Sequence, residues 1–282
     1  MQTGTFHGIE VTTPEKGVAL ITLNRPEQLN GMNHEMKRDL VELLLQAQMD
    51  DAICVVVFTG NGRAFSAGDD ITGRPPSWDG AEELVPGIPP GHNHFIGTYN
   101  GLRGLSQPVN LAVRNLDKVS IAAVNGVAIQ SGFSLALSSD FRIASSTARL
   151  GSGTLRFGLL PDEAGHYLVV QMLGVARAMD FFMRNRIVSA AEAADLGLVH
   201  EVVEPERLLD RSLELAVELA AGPQVAQRLL KRAIYNAAEM TMHQALDDIA
   251  TKTAISDWDP DAIEGMKAFK EKRAPQFGST AP

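Results

Sequence analysis

Residues 120–140 read SIAAVNGVAIQSGFSLALSSD, and the rest of the chain is organised around them. The small and β-branched residues at 120–124 predict a short buried strand. The chain turns at Asn125-Gly126 and continues through 127–130. After Ser131-Gly132 the pattern becomes helical and ends near Asp140. A strand that feeds a small-residue turn and then a helix leaves the first helical N–H groups without intrahelical partners. Those donors, with the positive end of the helix dipole, form a seat for an anion or a developing oxyanion.

Upstream, 18–24 (VALITLN) predicts a strand that stops at Arg25-Pro26, because proline cannot donate to a ladder. Asn33 is an N-cap for a helix to about Asp50, with Met36, Leu40, Leu43, Leu44 and Ala47 on one face. The run 53–59 (ICVVVFT) is apolar throughout, as expected of a strand covered on both faces. Strand, helix and strand make one right-handed crossover. Directly after it comes GNGRAFSAGDD, 60–70, whose glycines allow a ligand close to the backbone. It is not a dinucleotide fingerprint, since Phe65 stands where a third glycine is needed.

Residues 73–101 are the least regular stretch, rich in proline and glycine, and suggest a lid or binding loop. His92 and His94 lie within it; two histidines at i, i+2 in a polar loop read as solvated, so no metal is expected. A helix is expected near 96–115. Beyond the focal stretch come a short strand at 141–144, an irregular glycine-rich segment at 148–165 and a helix at 167–173. Ser189 to Glu192 reads as a capping box, with Gly197 as the helix stop. A strand at 198–203 follows. Pro205, Pro223, the capping box Thr241 to Gln244 and Asp259-Pro260 each open a helix. Strand and helix therefore alternate to about residue 204, and 205–282 is helical.

The chain has 282 residues and a net charge of −9, which argues against non-specific binding to nucleic acid or to an anionic membrane surface. Its single cysteine, Cys54, rules out an internal disulfide framework and sits in an apolar run, so it is expected in the core. No apolar stretch approaches a membrane span, and no secretory signal is visible, so a cytoplasmic enzyme is expected.

Five segments, in this order, resemble the crotonase superfamily (enoyl-CoA hydratase/isomerase): ITLNRP at 21–26, RAFSAGDDI at 63–71, AAVNGVA at 122–128, AADLGLV at 193–199 and EGMKAFKEKR at 264–273. The resemblance runs from Val18 to Phe277. It implies an α/β fold: a spiral core of repeated ββα units over 1–204 and a helical trimerisation region over 205–282. It implies a homotrimer or a hexamer, and an acyl-CoA thioester as substrate, with coenzyme A part of the substrate and no separate cofactor. By position, the backbone N–H groups of Asp69 and Ser131 would hold the thioester oxygen. Arg25, Ala64, Ser66, Ala67, Gly68, Asp70 and Ile71 match positions along the coenzyme A path, with Phe269 and Lys272 near the nucleotide, in some members from a neighbouring subunit.

The pattern departs from the family at its two catalytic glutamates, whose positions fall on Ser134 and Thr154. Neither residue can act as a carboxylate base near neutral pH. The acid/base work is therefore expected at the turn PDEAGH, 161–166, from Asp162 or Glu163, with His166 as orienter or second base; Asp69 is a further candidate from the oxyanion seat. A carboxylate facing a closed acyl pocket has its pKa raised and becomes a usable acid or base. Asp162 and Glu163 also suit a helix start, by the dipole alone. Enoyl-CoA hydration or double-bond isomerisation is the first expectation, and water addition that cleaves a C–C bond in a cyclic 3-oxoacyl-CoA the second. A non-catalytic acyl-CoA-binding trimer is the rival from another class. A serine hydrolase is a further rival, because Gly132-Phe133-Ser134-Leu135-Ala136 is one residue short of a nucleophile elbow and Asp162 and His166 follow in hydrolase order.

Overall fold

The computed structural model describes residues 1–70 and 94–278. Eleven strands and eleven α-helices follow one another along these residues. The strands are β1 (Gly4–Phe6), β2 (Ile9–Glu15), β3 (Val18–Leu23), β4 (Val55–Gly60), β5 (Ala64–Ser66), β6 (Val119–Val124), β7 (Val127–Ile129), β8 (Phe141–Ser145), β9 (Arg149–Gly151), β10 (Ile187–Ser189) and β11 (Glu201–Val203). The helices are α1 (His34–Met49), α2 (Phe95–Gly101), α3 (Gln107–Asn115), α4 (Ser131–Ser138), α5 (Gly165–Leu173), α6 (Val175–Met183), α7 (Ala190–Asp195), α8 (Leu208–Ala220), α9 (Gln224–Ala237), α10 (Met242–Ser256) and α11 (Pro260–Glu271).

Seven strands form one sheet in the order β1-β2-β3-β4-β6-β8-β11, and four form a second, β10-β9-β7-β5. From β3 to β11 the large sheet is parallel. Each turn of the chain adds one strand to the large sheet, one short strand to the small sheet and a helix. The pairs β4 and β5, β6 and β7, and β8 and β9 repeat this step, which is the spiral of ββα units that the sequence resemblance implies.

Side-chain alternation explains why the parallel strands are mostly apolar. Val18, Leu20, Val55, Val57, Ile121, Ala123 and Ile143 point to one face, where Leu208 and Ala216 of α8 cover them. Ala19, Ile21, Val56, Phe58, Ala122, Val124 and Ala144 point to the other, into the main core shared with α1, α4 and the small sheet. Both faces are buried, so the runs are mostly apolar, and the buried polar residues Ser120 and Arg142 are hydrogen-bonded.

The focal stretch folds as read: β6, the turn at Asn125-Gly126, β7 and then α4. Asn125 binds three strands' ends together. Its Oδ1 accepts from Gly60 N–H at 3.1 Å, and its Nδ2 donates to the Gly62 and Ala64 carbonyls at 2.9 and 3.1 Å. Asp140, just past α4, accepts from the Ser120 N–H at 2.7 Å and from the Ser120 hydroxyl at 2.9 Å. Lys231 and the Tyr235 hydroxyl of α9 donate to the same carboxylate.

Several local expectations differ. Cys54 is half-buried, because it lies just before β4 at the edge of the α8-covered cluster. Residues 95–101 are helical, and α2 and α3 join through a π-helical turn at Leu102–Ser106; His94 is exposed, and the rest of the expected lid, 73–93 with His92, lies outside the described residues. The glycine-rich segment 148–165 contains β9 and a 3-10 turn at Thr154–Phe157. Ser189 caps α7 by accepting from Glu192 N–H, but the Glu192 carboxylate turns to Arg186, so only half of a capping box forms. The boxes at Thr241 and the Asp259 cap form as read. Strands β1 and β2 and helix α6 were not expected.

Asp140 is the test of this framework. Lys231 is buried, and among the described residues its carboxylate partner is Asp140 at 2.7 Å. Burial lowers the Lys231 pKa and Asp140 opposes that fall. Replacing Asp140 by alanine leaves a buried charge uncompensated. The Asp140→Ala variant is expected to lose about 3–5 kcal/mol, read from the midpoint of urea unfolding at matched protein concentration. A loss below about 1 kcal/mol would show that the pair contributes no more than a surface ion pair.

Candidate active site

The site lies where the first turn of α4 packs on β5. Gly132 permits that contact: a Cβ on it would stand 2.3 Å from the Ser66 carbonyl oxygen. No side chain fits there, so the α4 backbone approaches the strand directly. The neighbouring segment, Gly68, has φ +105° and lies against Gln130 and the Ile129 carbonyl in the same way. Asp69 and Ser131 are brought together by these two approaches, and the Ser131 hydroxyl donates to Asp69 Oδ1.

The two main-chain N–H groups expected in the seat are both available. Ser131 is the first residue of α4, so its N–H has no intrahelical acceptor. Asp69 pairs with Met32 in a parallel bridge formed by Met32 N–H to Gly68 O at 2.8 Å and Asp70 N–H to Met32 O at 2.9 Å. Those bonds use the neighbours of Asp69, so its own N–H faces away from Met32.

Around this pair the structure gathers a cluster of charged and polar groups. Lys37, on α1, is 2% exposed. Its ammonium stands 2.8 Å from Asp69 Oδ1 and 3.4 Å from Glu163 Oε1, and it donates to Ser106 Oγ at 2.8 Å. Glu163 is 4% exposed, and its Oε2 has no hydrogen-bond partner. Burial pushes the Glu163 pKa up to about 7. Lys37 pulls against that rise and the Asp69 charge adds to it. Asp162 is half-buried; its pKa is also raised, first by burial, with the charge of Asp69 adding to the effect. Gln130 donates to Asp162 Oδ1 at 3.1 Å, and Gln107 donates to the Asp162 carbonyl at 3.0 Å.

Asp162, Glu163, Asp69 and Ser131 therefore meet in one cluster. His166 does not join it: its exposed ring sets Nδ1 3.0 Å from the Pro161 carbonyl oxygen. It lines, with Glu163, Gln107, Arg114 and Tyr235, a cavity of about 420 Å³ between α3, α5 and α9. Ser134 Oγ accepts from Gly165 N–H at 3.1 Å, and Thr154 lies beside Ser152, their hydroxyl oxygens 3.2 Å apart. A serine triad is not assembled, because the Ser134 hydroxyl is occupied by backbone and His166 points elsewhere.

The residues on the expected coenzyme A path divide. Ala64 and Ser66 are buried in β5, with Ala67 and Gly68 following toward the seat. Arg25 and Asp70 form a buried ion pair at 2.7 Å, and Arg25 also donates to the Gly31 carbonyl, which braces the loop that carries Asp69. Phe269 is exposed on α11, and Lys272 ends that helix in the left-handed conformation. Ile71 lies outside the described residues. Among the described residues, no three His, Cys, Asp or Glu side chains are grouped to hold a metal ion, and no helix is long and apolar enough to cross a membrane.

Sequence reasoning missed Lys37, Gln130 and Ser106. Lys37 carried a usable signal: it stands three residues before Leu40 and seven before Leu44, on the buried stripe of α1. Gln130 was visible only as a non-glycine at a turn.

The chain matches the family model for enoyl-CoA hydratase/isomerase over residues 13–80 and 92–280. It is 37% identical over 263 residues to 1,2-epoxyphenylacetyl-CoA isomerase of Escherichia coli, covering 93% of this chain and 95% of that protein. It is 34% identical over 262 residues to a probable enoyl-CoA hydratase of Rhizobium meliloti, covering 92% and 94%. Among solved structures, an enoyl-CoA hydratase from Bacillus anthracis matches at a TM-score of 0.85 and 30% identity over 96% of this chain and 98% of that one. Pseudomonas aeruginosa DspI matches at 0.84 and 30% over 96% and 97%.

The raised Glu163 pKa makes a stability test. The unfolded carboxyl titrates near 4.5 and the folded one near 7. The stabilisation is complete below about pH 4.5 and is lost as pH rises through about 7. The stability of the wild type relative to Glu163→Gln is therefore expected to fall between about pH 4.5 and pH 7, followed by urea unfolding at each pH. A difference that stays level across that window contradicts the burial-driven shift.

Proposed function

Because the chain belongs to the enoyl-CoA hydratase/isomerase family of the crotonase superfamily, we propose that its site polarises an acyl-CoA thioester and moves protons on the acyl chain. The thioester oxygen sits between the N–H groups of Asp69 and Ser131. Removing an acyl proton, or adding a nucleophile to an enoyl chain, puts negative charge on that oxygen. Two fixed donors in a closed site stabilise the enolate as it forms, and one such donor is worth about 3–4 kcal/mol in comparable oxyanion chemistry.

Glu163 and Asp162 carry the proton. The observation that supports this most is Glu163 itself: a carboxyl nearly buried, one oxygen without a partner, linked through Lys37 to the residue whose amide forms half the seat. A carboxylic acid with a pKa near neutrality both gives and takes a proton efficiently at physiological pH. Asp162, oriented by Gln130, is the second acid or base. The reaction is hydration of an enoyl-CoA or migration of its double bond, with the acids at the 161–166 turn in place of glutamates at 134 and 154.

The test is turnover across enoyl, 3-oxo and cyclic acyl-CoA esters, with binding measured by calorimetry. Asp162→Asn and Glu163→Gln are each expected to lower kcat by at least about 100-fold while ester affinity changes little. Full activity in both variants rejects the acid assignment. Tight ester binding by the wild type without any reaction favours the non-catalytic reading.

We propose further that the chain works as a homotrimer or as paired trimers. Helices α10 and α11 and the turn between them carry the exposed apolar residues Leu246, Ile255, Trp258, Ile263, Met266 and Phe269, too many for a free surface. A Trp258→Glu, Ile263→Asp double variant is expected to move the light-scattering mass from a multiple of 30.4 kDa toward one copy. An unchanged multiple would place the contact elsewhere, and a wild type of one copy would reject the assembly.

A further inference from the structure

We propose that Lys37 is a positioning residue for this site: one buried ammonium bridges Asp69 and Glu163 and fixes which of the two carboxyls keeps its proton. The inference deepens the functional reading given above and rests on it for its catalytic meaning, though not for its geometry.

Lys37 is drawn into the protein by α1, whose apolar face is buried, so the side chain cannot reach water. A buried ammonium is expensive unless it is fully paired. The partners come from three elements: Ser106 Oγ at 2.8 Å from the π-helical turn, Asp69 Oδ1 at 2.8 Å from the seat and Glu163 Oε1 at 3.4 Å from the turn before α5. Two carboxylates thus share one cation. Like charges so close cannot both ionise freely, so the better-matched one takes the charge and the other holds a proton.

The geometry assigns the roles. Asp69 accepts from Lys37 at the shorter distance, accepts again from the Ser131 hydroxyl, and its side chain is 42% exposed to the site. Asp69 is thus the better paired and the better solvated of the two carboxyls. Glu163 has the longer contact, the deeper burial and an unpartnered oxygen. It is the proton holder. Among the described residues, the other charged or titratable groups facing the pair are Asp162, beside Glu163, and His34 on α1, and neither supplies a second cation at the distances Lys37 achieves. The Arg25 guanidinium of the next loop residue's ion pair is committed to Asp70 and Gly31.

Lys37 touches no substrate atom in this account. It acts through the two carboxyls, so its removal should change when they titrate rather than whether a CoA ester binds. An opposite charge at such distances shifts a carboxyl by about one to three pH units.

The experiment uses full-length protein with ¹³C-carboxyl glutamate, the Glu163 signal being assigned by its loss in Glu163→Gln. The titration needs no substrate. In Lys37→Met the Glu163 midpoint is expected to rise by about one pH unit or more; in Lys37→Arg, which keeps the charge, it should move less than half as far. Asp69→Asn, a change on an exposed side chain, should move it the opposite way, because Lys37 then serves Glu163 alone. This variant decides the question where Lys37→Met fails to fold. A smaller rise, an equal rise in both Lys37 variants, or no fall in Asp69→Asn overturns the proposal. Exchange of the acetyl-CoA α-protons in D₂O is followed in parallel: the acid limb of its rate should move with the NMR midpoint. No exchange by the wild type defeats the functional reading and leaves the NMR result to judge Lys37.

Discussion

A carbonyl oxygen of β5 and the first turn of α4 lie closer together than any side chain would allow, and the site depends on that approach. Gly132 admits the Ser66 carbonyl where a Cβ would stand. The strand's continuation is thereby laid against the helix start, which brings Asp69 beside Ser131. The spiral explains why the approach occurs here. Strands β5 and β7 pair in parallel in the small sheet, and each is followed directly by a segment of the seat. Asn125 pins the corner by bonding to three backbone groups of residues 60–64. A donor pair built from backbone in this way does not depend on which side chains occupy positions 69 and 131.

The side chains at those positions are then free to carry charge, and the chain uses that freedom. Asp69 places a carboxylate at the edge of the proposed oxyanion seat. Alone, it would oppose a developing enolate. Lys37 and the Ser131 hydroxyl both bind its Oδ1, which draws charge away from the seat. The same lysine reaches Glu163, so the carboxylate at the seat and the acid at the turn share one cation. Electrostatics here is a property of the group and not of any one residue.

Much of this was legible in the sequence. The strand–turn–helix at 120–140, the crossover before it and the helical end followed from periodicity and capping, because those signals are local. The turn 161–166 could be singled out because Ser134 and Thr154 left no carboxylate at the two expected glutamate positions. What stayed hidden depended on contacts between distant segments. Lys37 and Glu163 are 126 residues apart, and no local pattern announces their meeting. The short strands β5 and β9 fell in stretches read as irregular, and β10 was not read at all, since three residues are too few for a period to show. His166 looked like a partner for Glu163 by proximity in sequence. The start of α5 instead leaves its ring outside, on the Pro161 carbonyl.

Gln130 shows how the site departs from its simplest backbone solution. It precedes α4 with φ 51° and ψ −112°, a conformation that suits glycine and strains other residues by about 1–3 kcal/mol. Glycine there would relieve the strain and leave both seat amides where they are. It would also remove the amide that donates to Asp162 and accepts from Ser152. The strain is therefore compensated not in the seat but at the turn, where Asp162 is held in one orientation by a side chain from the helix start. A strained residue whose side chain aims a carboxyl makes sense if that carboxyl must point at something. This is the physical reason to look for the reacting atoms between residues 130 and 163, and not along the face of α4 that Ser134 occupies.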